Sequence, residues 1–256
     1  IEAVGPDVVD FQPGDRVGYV SGKYGSYATA RLIDASTLIP LPQSLDDKTA
    51  IATLVRGLTA QYLVFQSFPV SNKHVVLVHA AAGGVGRILC QWANYLGATV
   101  IGTVGSEAKA VLARKSGCTH TILYSTENFV DKVYEITNGR GVDVVYDSVG
   151  KDTFDGSLQS LVVRGHLISL GQSSGHIEPF KIARLFEKSN SIARPNLLHY
   201  FTGDNRKVML HSLFSALKNG AITAGPCQEY AFEDVAQAHA DMEARKTLGS
   251  VLLICR

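Results

Sequence analysis

A short stretch of small residues, 79–86, has the composition of a turn that binds phosphate. It directly follows the apolar run Val75–Val78. Within it, Ala81, Gly83 and Gly86 occupy the three positions of a G-x-G-x-x-G pattern. Small residues there let the backbone approach a pyrophosphate, and the N–H groups at the start of a following helix face its negative charge. The pattern therefore predicts a site for a dinucleotide.

The elements that would position this turn lie on both sides of it. Apolar residues recur at helical spacing from Val85 to Leu96, and Gly97 suits a helix C-terminus. A second strand is predicted at Thr99–Val104. Many turns between a strand and a helix are rich in glycine for packing alone, but strand, turn, helix and strand together make the unit that holds a dinucleotide. We therefore favour nucleotide binding over packing.

Strands and helices continue to alternate after this unit, at the spacing of a parallel sheet. This pattern predicts an α/β fold with a doubly wound parallel sheet of the Rossmann type. The carboxyl ends of its strands meet at one edge, where ligands bind. The predicted strands are 121–124, 142–146, 166–170 and 191–193, and the predicted helices are 107–115, 129–136, 154–161 and 180–188.

The two ends of the chain depart from this alternation. Residues 1–45 are predicted to be β-rich, with a strand at 26–32, and the helix that follows is expected to stop at Gly57 before another begins. Residues 204–256 return to isolated helices and a closing strand. We therefore predict a dinucleotide-binding domain at 51–203. The smaller domain that flanks it is expected to lack its N-terminal part and to be completed by the C-terminal segment.

Composition argues against several classes of protein. The chain has 256 residues, 24 of them basic and 23 acidic, and a formal net charge of +1. This balance disfavours a protein that binds nucleic acid in bulk or lies on a membrane surface, and no apolar run reaches the roughly 18 residues of a membrane span. The four cysteines are scattered, without a C-x-x-C pair or a Cys/His cluster of zinc-binding spacing. We expect no metal and a reducing, cytoplasmic location.

The end of the second strand distinguishes between the two nicotinamide dinucleotides. An acid at this position binds the ribose 2′-OH of NAD, but the strand here ends in Gly105 and Ser106, and an amine follows at Lys109. Glu107 lies between them and is expected to start the next helix and to point away. Tyr124, at the end of the third strand, adds a hydroxyl. These groups suit a 2′-phosphate, although an ordinary surface lysine is the competing interpretation, and they predict NADPH as the cofactor.

These motifs belong to a larger set by which the chain resembles the quinone oxidoreductases, the zinc-free, NADPH-dependent branch of the medium-chain dehydrogenase/reductase superfamily. The similarity covers the whole chain. It implies that residues 1–50 are part of a GroES-like β-barrel domain. The sequence departs from the family pattern at Arg56, where the family usually has lysine. The stretches that carry it are PGDRV (13–17), RGLTAQYL (56–63), HAAAGGVG (79–86), GTVGSEAK (102–109), VVYDSVG (144–150), GQSSG (171–175) and ARPNL (193–197).

The resemblance also implies which residues face the cofactor. Tyr62 and Arg245 would reach it from helices on either side of the dinucleotide-binding domain. The other implied contacts are Gly84 and Val85 at the pyrophosphate, Gly105, Ser106, Lys109 and Tyr124 around the 2′-phosphate, Ser148 and Val149 on the adenosine side, Leu170, Gly171, Gln172 and Ser173 along the nicotinamide half, and Pro195, Asn196 and Leu197 near its amide.

The activity that the resemblance implies is the reduction of a quinone or a similar conjugated acceptor by NADPH. No Ser–His–Asp or paired-carboxylate arrangement is visible, so no catalytic residue is named, and His79 is expected to be a packed histidine. The alternative within the same chemistry is reduction of an activated double bond in an enal or enone. The alternative of another class is a non-catalytic, NADPH-regulated RNA-binding or structural protein, which the near-neutral charge does not favour. A homodimer that pairs through the edge strand around Ser191–Arg194 is also implied.

Overall fold

The protein is described by a computed structural model, in which the described residues divide into two compact units. The larger unit is 59–222, and the smaller unit joins 1–58 to the described part of 223–256. The residues described are 1–244, 246–247 and 249–255.

In chain order the strands are β1 (Val17–Tyr19), β2 (Leu38–Pro40), β3 (Val75–Val78), β4 (Thr99–Val104), β5 (His120–Leu123), β6 (Val142–Asp147), β7 (Leu161–Ser169), β8 (Ser191–Ala193), β9 (Cys227–Ala231) and β10 (Ser250–Ile254). The helices are α1 (Asp47–Tyr62), α2 (Gly84–Tyr95), α3 (Glu107–Lys115), α4 (Phe129–Ile136), α5 (Phe154–Ser160), α6 (Leu197–Tyr200), α7 (Gly203–Lys218) and α8 (Val235–Glu243).

The limits of the larger unit differ from the domain boundaries expected after residues 50 and 203. Helix α7 belongs to the larger unit, where the side chains of Met209 and Leu213 are fully buried. Asn205, near its start, donates hydrogen bonds to the Tyr200 carbonyl at 2.7 Å and to Gln66 Oε1 at 2.9 Å. Amphipathic spacing identifies such a helix in the sequence, but it does not indicate which unit covers the apolar face.

The larger unit is built on a six-stranded parallel sheet with the strand order β5-β4-β3-β6-β7-β8. Leu77 on β3 pairs in register with Ile101 on β4 and with Val145 on β6. All three side chains are fully buried, as expected of parallel strands covered by helices on both faces. The chain runs outward from β3 to β5 and then crosses back to β6. The predicted doubly wound Rossmann sheet is therefore confirmed, and its ligand crevice lies where β3 and β6 end.

Local capping places several element ends where the sequence predicts them. Ser106 caps α3 by accepting a hydrogen bond from the Lys109 amide, and Asn128 caps α4 by accepting one from the Val130 amide at 2.9 Å. Gly97 has a φ of +84° just after α2, which lets the chain turn into β4. The elements β4, α3, α4 and β8 consequently have the predicted limits.

The smaller unit holds an antiparallel pair, β1 with β2, and a parallel pair, β9 with β10. Asp46 caps α1, with its Oδ1 atom 2.9 Å from the Thr49 amide. The strand predicted at 26–32 is wrong, because this segment is a loop. In this loop the Arg31 guanidinium donates a hydrogen bond to the Tyr24 carbonyl at 3.1 Å. A side chain therefore satisfies a backbone carbonyl that a neighbouring strand would otherwise have to bind.

Two helix predictions are also wrong. Helix α1 continues through Gly57, because the burial of neighbouring side chains such as Leu58 offsets the roughly 1 kcal/mol that glycine costs a helix. Residues 180–188 form only a short 3₁₀ turn at Ile182–Leu185. Phe186 there is 88% exposed, so little burial stabilises a full helix. Across the described ranges, no helix combines the length and the apolar character needed to cross a bilayer.

Candidate nucleotide-binding site

The glycine-rich turn after β3 forms a backbone cradle at the N-terminus of α2. Ala80 has a φ of +51°, and Gly83 is the N-cap of the helix. A Cβ atom on Gly86 would lie 2.3 Å from the Ala80 carbonyl oxygen, which leaves no room for a side chain. Small residues therefore hold the backbone of the turn close to the helix and leave it bare, as a pyrophosphate site requires.

The first turn of α2 carries the amides predicted to face the pyrophosphate. Gly83 is exposed, and Gly84 and Val85 are half-buried. Within the described part of the chain, the N-cap provides no side-chain hydrogen bond to this turn. The first N–H groups of a helix also have no acceptor within the helix, so these amides and the positive end of the helix dipole favour a bound anion.

A second group of polar side chains lies where β4 and β5 end. Ser106 Oγ accepts a hydrogen bond from the Lys109 amide at 3.4 Å, which holds both residues in the first turn of α3. The Tyr124 hydroxyl lies against Gly105, since a Cβ atom there would be 2.5 Å from Tyr124 Oη. The structure thus brings together the four residues predicted to surround the 2′-phosphate.

The acid of this region, Glu107, is directed toward the C-terminal end of its helix. Its Oε1 atom is 2.5 Å from Arg114 Nη2, and Arg114 Nη1 donates to Thr121 Oγ1 at 2.9 Å. The expectation that Glu107 starts α3 and points away from the strand end is confirmed. Pairing with arginine also weakens the repulsion between Glu107 and a phosphate bound beside Ser106.

The turns after β6 and β7 are joined to each other by backbone hydrogen bonds. The Ser173 amide donates to the Ser148 carbonyl at 3.2 Å, and the Ser174 amide donates to the Val149 carbonyl at 2.9 Å. A Cβ atom on Gly171 would lie 2.7 Å from the Ser148 carbonyl oxygen. The predicted residues of the two turns are therefore neighbours: Ser148, Val149, Leu170, Gly171, Gln172 and Ser173.

A buried carboxylate that the sequence analysis missed lies beneath these turns. Asp147 is 1% exposed, and its Oδ1 atom accepts hydrogen bonds from the amides of Val149 and Gly150 at 2.8 and 3.0 Å. The hydroxyls of Thr153 and Ser157 also donate to it. The sequence does show an acidic residue, Asp147, at the end of the apolar strand β6. A buried charge is costly unless hydrogen-bond donors surround it, so this position could have been singled out.

His79, just after β3, is a packed histidine, as expected. It is 1% exposed, with Nδ1 2.9 Å from Thr103 Oγ1 and Nε2 3.0 Å from Ser157 Oγ. Burial lowers the pKa of His79 to about 4, although the charge of Asp147 opposes this shift. The imidazole is therefore neutral near pH 7, and it links Thr103 on β4 to Ser157 on α5 by hydrogen bonds.

The segment after β8 carries three further predicted contacts. Asn196 is the N-cap of α6, and its Oδ1 atom accepts a hydrogen bond from the Leu198 amide at 3.0 Å. Pro195 and Leu197, on either side of it, are half-buried. Nothing in these contacts tests an interaction with the nicotinamide amide, so the assignment of the three residues stays a prediction.

The two predicted contacts from flanking helices stay predictions as well. Tyr62 is 2% exposed inside the larger unit, where its ring is stacked on Tyr200 with the centroids 4.4 Å apart. Burial raises the pKa of Tyr62 to about 12. Tyr200 covers one face of the Tyr62 ring. Arg245 lies outside the described residues.

Comparison with known proteins gives the family of this chain. Residues 84–212 match the protein family described as zinc-binding dehydrogenase. A quinone oxidoreductase from Pseudomonas aeruginosa is 41% identical over 256 residues, which cover 99% of this chain and 79% of that relative. The chain belongs to the quinone oxidoreductase family. The resemblance found in the sequence is thereby confirmed, and this membership makes the chain an oxidoreductase.

Two further proteins extend the comparison with the quinone oxidoreductase family. A 2-haloacrylate reductase from a Burkholderia species is 44% identical over 261 residues, covering 99% of this chain and 78% of the relative. The crystal structure of Escherichia coli quinone oxidoreductase complexed with NADPH has a TM-score of 0.95 and 40% identity, covering 99% of this chain and 79% of that one. In the ranges that the structure describes, no three His, Cys, Asp or Glu side chains are grouped to hold a metal ion.

Proposed function

We propose that this chain binds NADPH at the carboxyl edge of its parallel sheet and uses it to reduce a quinone or a similar conjugated acceptor. The observation that carries the proposal is two groups of polar atoms at neighbouring strand ends, each suited to an anion. One is the bare first turn of α2, and the other is formed by Ser106, Lys109 and Tyr124. NADPH carries two anionic groups, a pyrophosphate and a 2′-phosphate. In a Rossmann fold the turn after the first strand binds the pyrophosphate and the end of the second strand binds the ribose 2′ group, which is the arrangement of the two sites here.

The site at the end of β4 favours NADPH over NADH. An NAD site uses an acid here to bind the ribose 2′-OH, whereas Glu107 is paired with Arg114. Lys109 offers an amine, and Ser106 and Tyr124 offer hydroxyls, which together suit a dianionic phosphate. The E. coli relative was solved with the same nucleotide.

NADPH, when bound, supplies the hydride of the reduction. The chain holds the nucleotide at its two phosphate groups and lines its nicotinamide half with the turn after β7, at Leu170–Ser173, while the turn after β6, at Ser148–Val149, lies on the adenosine side. The proposed reaction uses no metal. We name no general acid. Hydride transfer to a quinone gives an anion whose charge is delocalised, so the transfer needs little help from a proton donor.

Binding titrations of Lys109→Ala test the proposal. The affinity for NADPH is expected to fall about tenfold or more, because a charge-assisted contact to phosphate is lost, while the affinity for NADH changes by less than about twofold. Lys115→Ala is the matched control, since Lys115 is exposed at the other end of the same helix. Equal losses for the two nucleotides would contradict the 2′-phosphate assignment. Wild-type protein that fails to bind NADPH would contradict the function itself.

The 2-haloacrylate reductase relative supports a second candidate, the reduction of an activated carbon–carbon double bond. The two reactions would share the nucleotide site and differ in the acceptor. Oxidation of NADPH is therefore followed with a quinone, a 2-haloacrylate and an α,β-unsaturated aldehyde. Faster turnover of the quinone supports the first candidate, and turnover of the unsaturated acid or aldehyde alone replaces it with the second.

We further propose that the chain forms a homodimer through β8. This strand lies at one end of the sheet, where it pairs with β7, and Ser191 and Ala193 on it are exposed. Val163 on β7 and Phe186 before β8 are 68% and 88% exposed. Pairing two such edges around a two-fold axis would extend the sheet and cover apolar surface. Light scattering that finds only monomers would contradict this proposal.

A further inference from the structure

Asp147 attaches the turn after β6 and the turn after β7 to the end of β6. Its carboxylate accepts hydrogen bonds from the amides of Val149 and Gly150 at 2.8 and 3.0 Å. Its main-chain carbonyl accepts hydrogen bonds from the amides of Leu170 at 2.8 Å and Gly171 at 3.3 Å. The turn after β6 is therefore held by the side chain of Asp147, and the turn after β7 is held by its backbone.

The same carboxylate is held from a second direction by residues at the start of α5. Thr153 Oγ1 lies 2.9 Å from Oδ1 and 2.8 Å from Oδ2, and Ser157 Oγ lies 3.1 Å from Oδ2. An ionised carboxylate only accepts hydrogen bonds, so each of these groups directs its proton toward Asp147. Donors on both sides fix one orientation of the buried charge.

The direction of these bonds extends to His79 and Thr103. Because Ser157 gives its proton to Asp147, the Ser157 oxygen accepts the bond from His79 Nε2–H. The neutral imidazole then has no proton on Nδ1, which accepts the hydroxyl proton of Thr103. A directed chain of hydrogen bonds thus runs from Thr103 on β4, through His79 after β3 and Ser157 on α5, to the Asp147 carboxylate on β6.

We propose that Asp147 is a positioning residue for hydride transfer: its charge fixes the turn after β6, and that turn accepts the bonds from the Ser173 and Ser174 amides that help to hold the turn after β7 along the nicotinamide half of the nucleotide. This inference rests on the proposed function. Affinity for the nucleotide arises mainly at the phosphates, on α2 and α3, whereas the orientation of the nicotinamide depends on the turns that Asp147 holds. Loss of the charge is therefore expected to lower kcat and to leave the Kd for NADPH nearly unchanged.

Asp147→Asn tests the charge with little change in volume. kcat is expected to fall about tenfold or more, because a small displacement of a reacting group has an effect of that size, while the Kd for NADPH stays within about threefold of wild type. Thr153→Val is expected to act in the same direction, and Thr153→Ser, which restores the hydroxyl, recovers most of the loss. If Asp147→Asn does not fold, the comparison of kcat between Thr153→Val and Thr153→Ser tests the same proposal.

Ser160→Ala is the matched control for removal of a buried hydroxyl from α5. Ser160 is fully buried, like Ser157, but its Oγ atom donates to the Gly156 carbonyl at 2.8 Å. We expect Ser157→Ala to lower kcat more than Ser160→Ala does. Equal losses in the two variants would mean that kcat responds to general destabilisation of the helix, and they would overturn the positioning role.

Amide hydrogen exchange provides a readout that needs no nucleotide. In nucleotide-free Asp147→Asn, exchange is expected to rise at 148–150 and 170–175 together and to stay unchanged in α2. Unaltered exchange at both turns, or a rise in Kd as large as the fall in kcat, would overturn the positioning role. Wild-type protein that does not bind NADPH would overturn the proposed function instead, and the exchange result would still decide whether Asp147 holds the turns.

Discussion

After β3 and β4 the polar groups of the sheet edge face outward, whereas after β6 and β7 they are bonded to one another. The first-turn amides of α2, the Lys109 amine and the Tyr124 hydroxyl are placed to exchange water for a ligand. Six amides of the two later turns already have acceptors, four of them on Asp147: Val149, Gly150, Leu170, Gly171, Ser173 and Ser174. The proposed function therefore divides the work between two sides of the sheet edge. The groups after β3 and β4 (the open side) are expected to bind charge, and the turns after β6 and β7 (the satisfied side) are expected to keep a fixed shape against which the reacting ring is held.

Filling the cradle on the open side is expected to have the largest effect. In Gly86→Ala, the new Cβ atom would be 2.3 Å from the Ala80 carbonyl oxygen, so the turn or the helix has to move. We expect the Kd for NADPH to rise about 100-fold and the free energy of unfolding to fall by about 1–3 kcal/mol. Calorimetric titration and urea unfolding measure the two effects.

Gly83→Ala is the graded control for this variant. Its Cβ atom would lie 3.1 Å from the same Ala80 oxygen, and the position is exposed. A small adjustment of the turn relieves that contact, so both effects are expected to be several times smaller. Equal losses in the two variants would show that the depth of the cradle at Gly86 does not matter for nucleotide binding.

Acidification is expected to weaken the buried hydrogen bonds that His79 makes between β4 and α5. Burial lowers the pKa of His79 to about 4 in the folded protein, against about 6.5 in an unfolded chain. Between these values the unfolded chain binds a proton that the folded chain does not, so stability falls as the pH drops from about 6.5 to 4, by about 3 kcal/mol in full.

Urea unfolding of wild type and His79→Gln measures this contribution, because other groups that titrate in acid are common to both proteins. Between pH values of about 7 and 4.5, wild type is expected to lose about 2–3 kcal/mol more than the variant. Parallel losses in the two proteins would contradict the assignment of a buried, neutral His79.

The smallest effect is expected from the ion pair beside the proposed 2′-phosphate site. Arg114→Gln releases the Glu107 carboxylate, which then repels a phosphate at Ser106, and we expect the Kd for NADPH to rise about two- to threefold with little change for NADH. The double variant with Glu107→Gln is expected to restore the wild-type value. An unchanged ratio of the two Kd values in Arg114→Gln would remove the pair from the discrimination between nucleotides.

The elements of the open side could be predicted because local signals fix them. Ser106 starts α3, Gly97 ends α2, and the alternation of apolar strands with helices leaves few possible sheet orders. The residues of the proposed 2′-phosphate site follow from counting along two short connections. The family resemblance then supplied the assignments that spacing alone could not give.

The satisfied side could not be predicted in the same way, because its bonds join distant parts of the chain. The Leu170 amide bonds to the Asp147 carbonyl across two strands, and His79 bonds to Ser157, 78 residues further along the chain. Burial in the folded chain likewise decides that α1 passes through Gly57 and that 180–188 remains mostly without helix. Such features depend on neighbours that a pattern along the sequence does not identify.

A crystal structure of this chain with bound NADPH tests most directly whether the ends of β3 and β4 hold the nucleotide by its two phosphate groups. We expect pyrophosphate oxygens within about 3 Å of the Gly84 and Val85 amides, and the 2′-phosphate in contact with Ser106, Lys109 and Tyr124. A nucleotide bound elsewhere, or one whose 2′-phosphate lies away from Lys109, would contradict that arrangement.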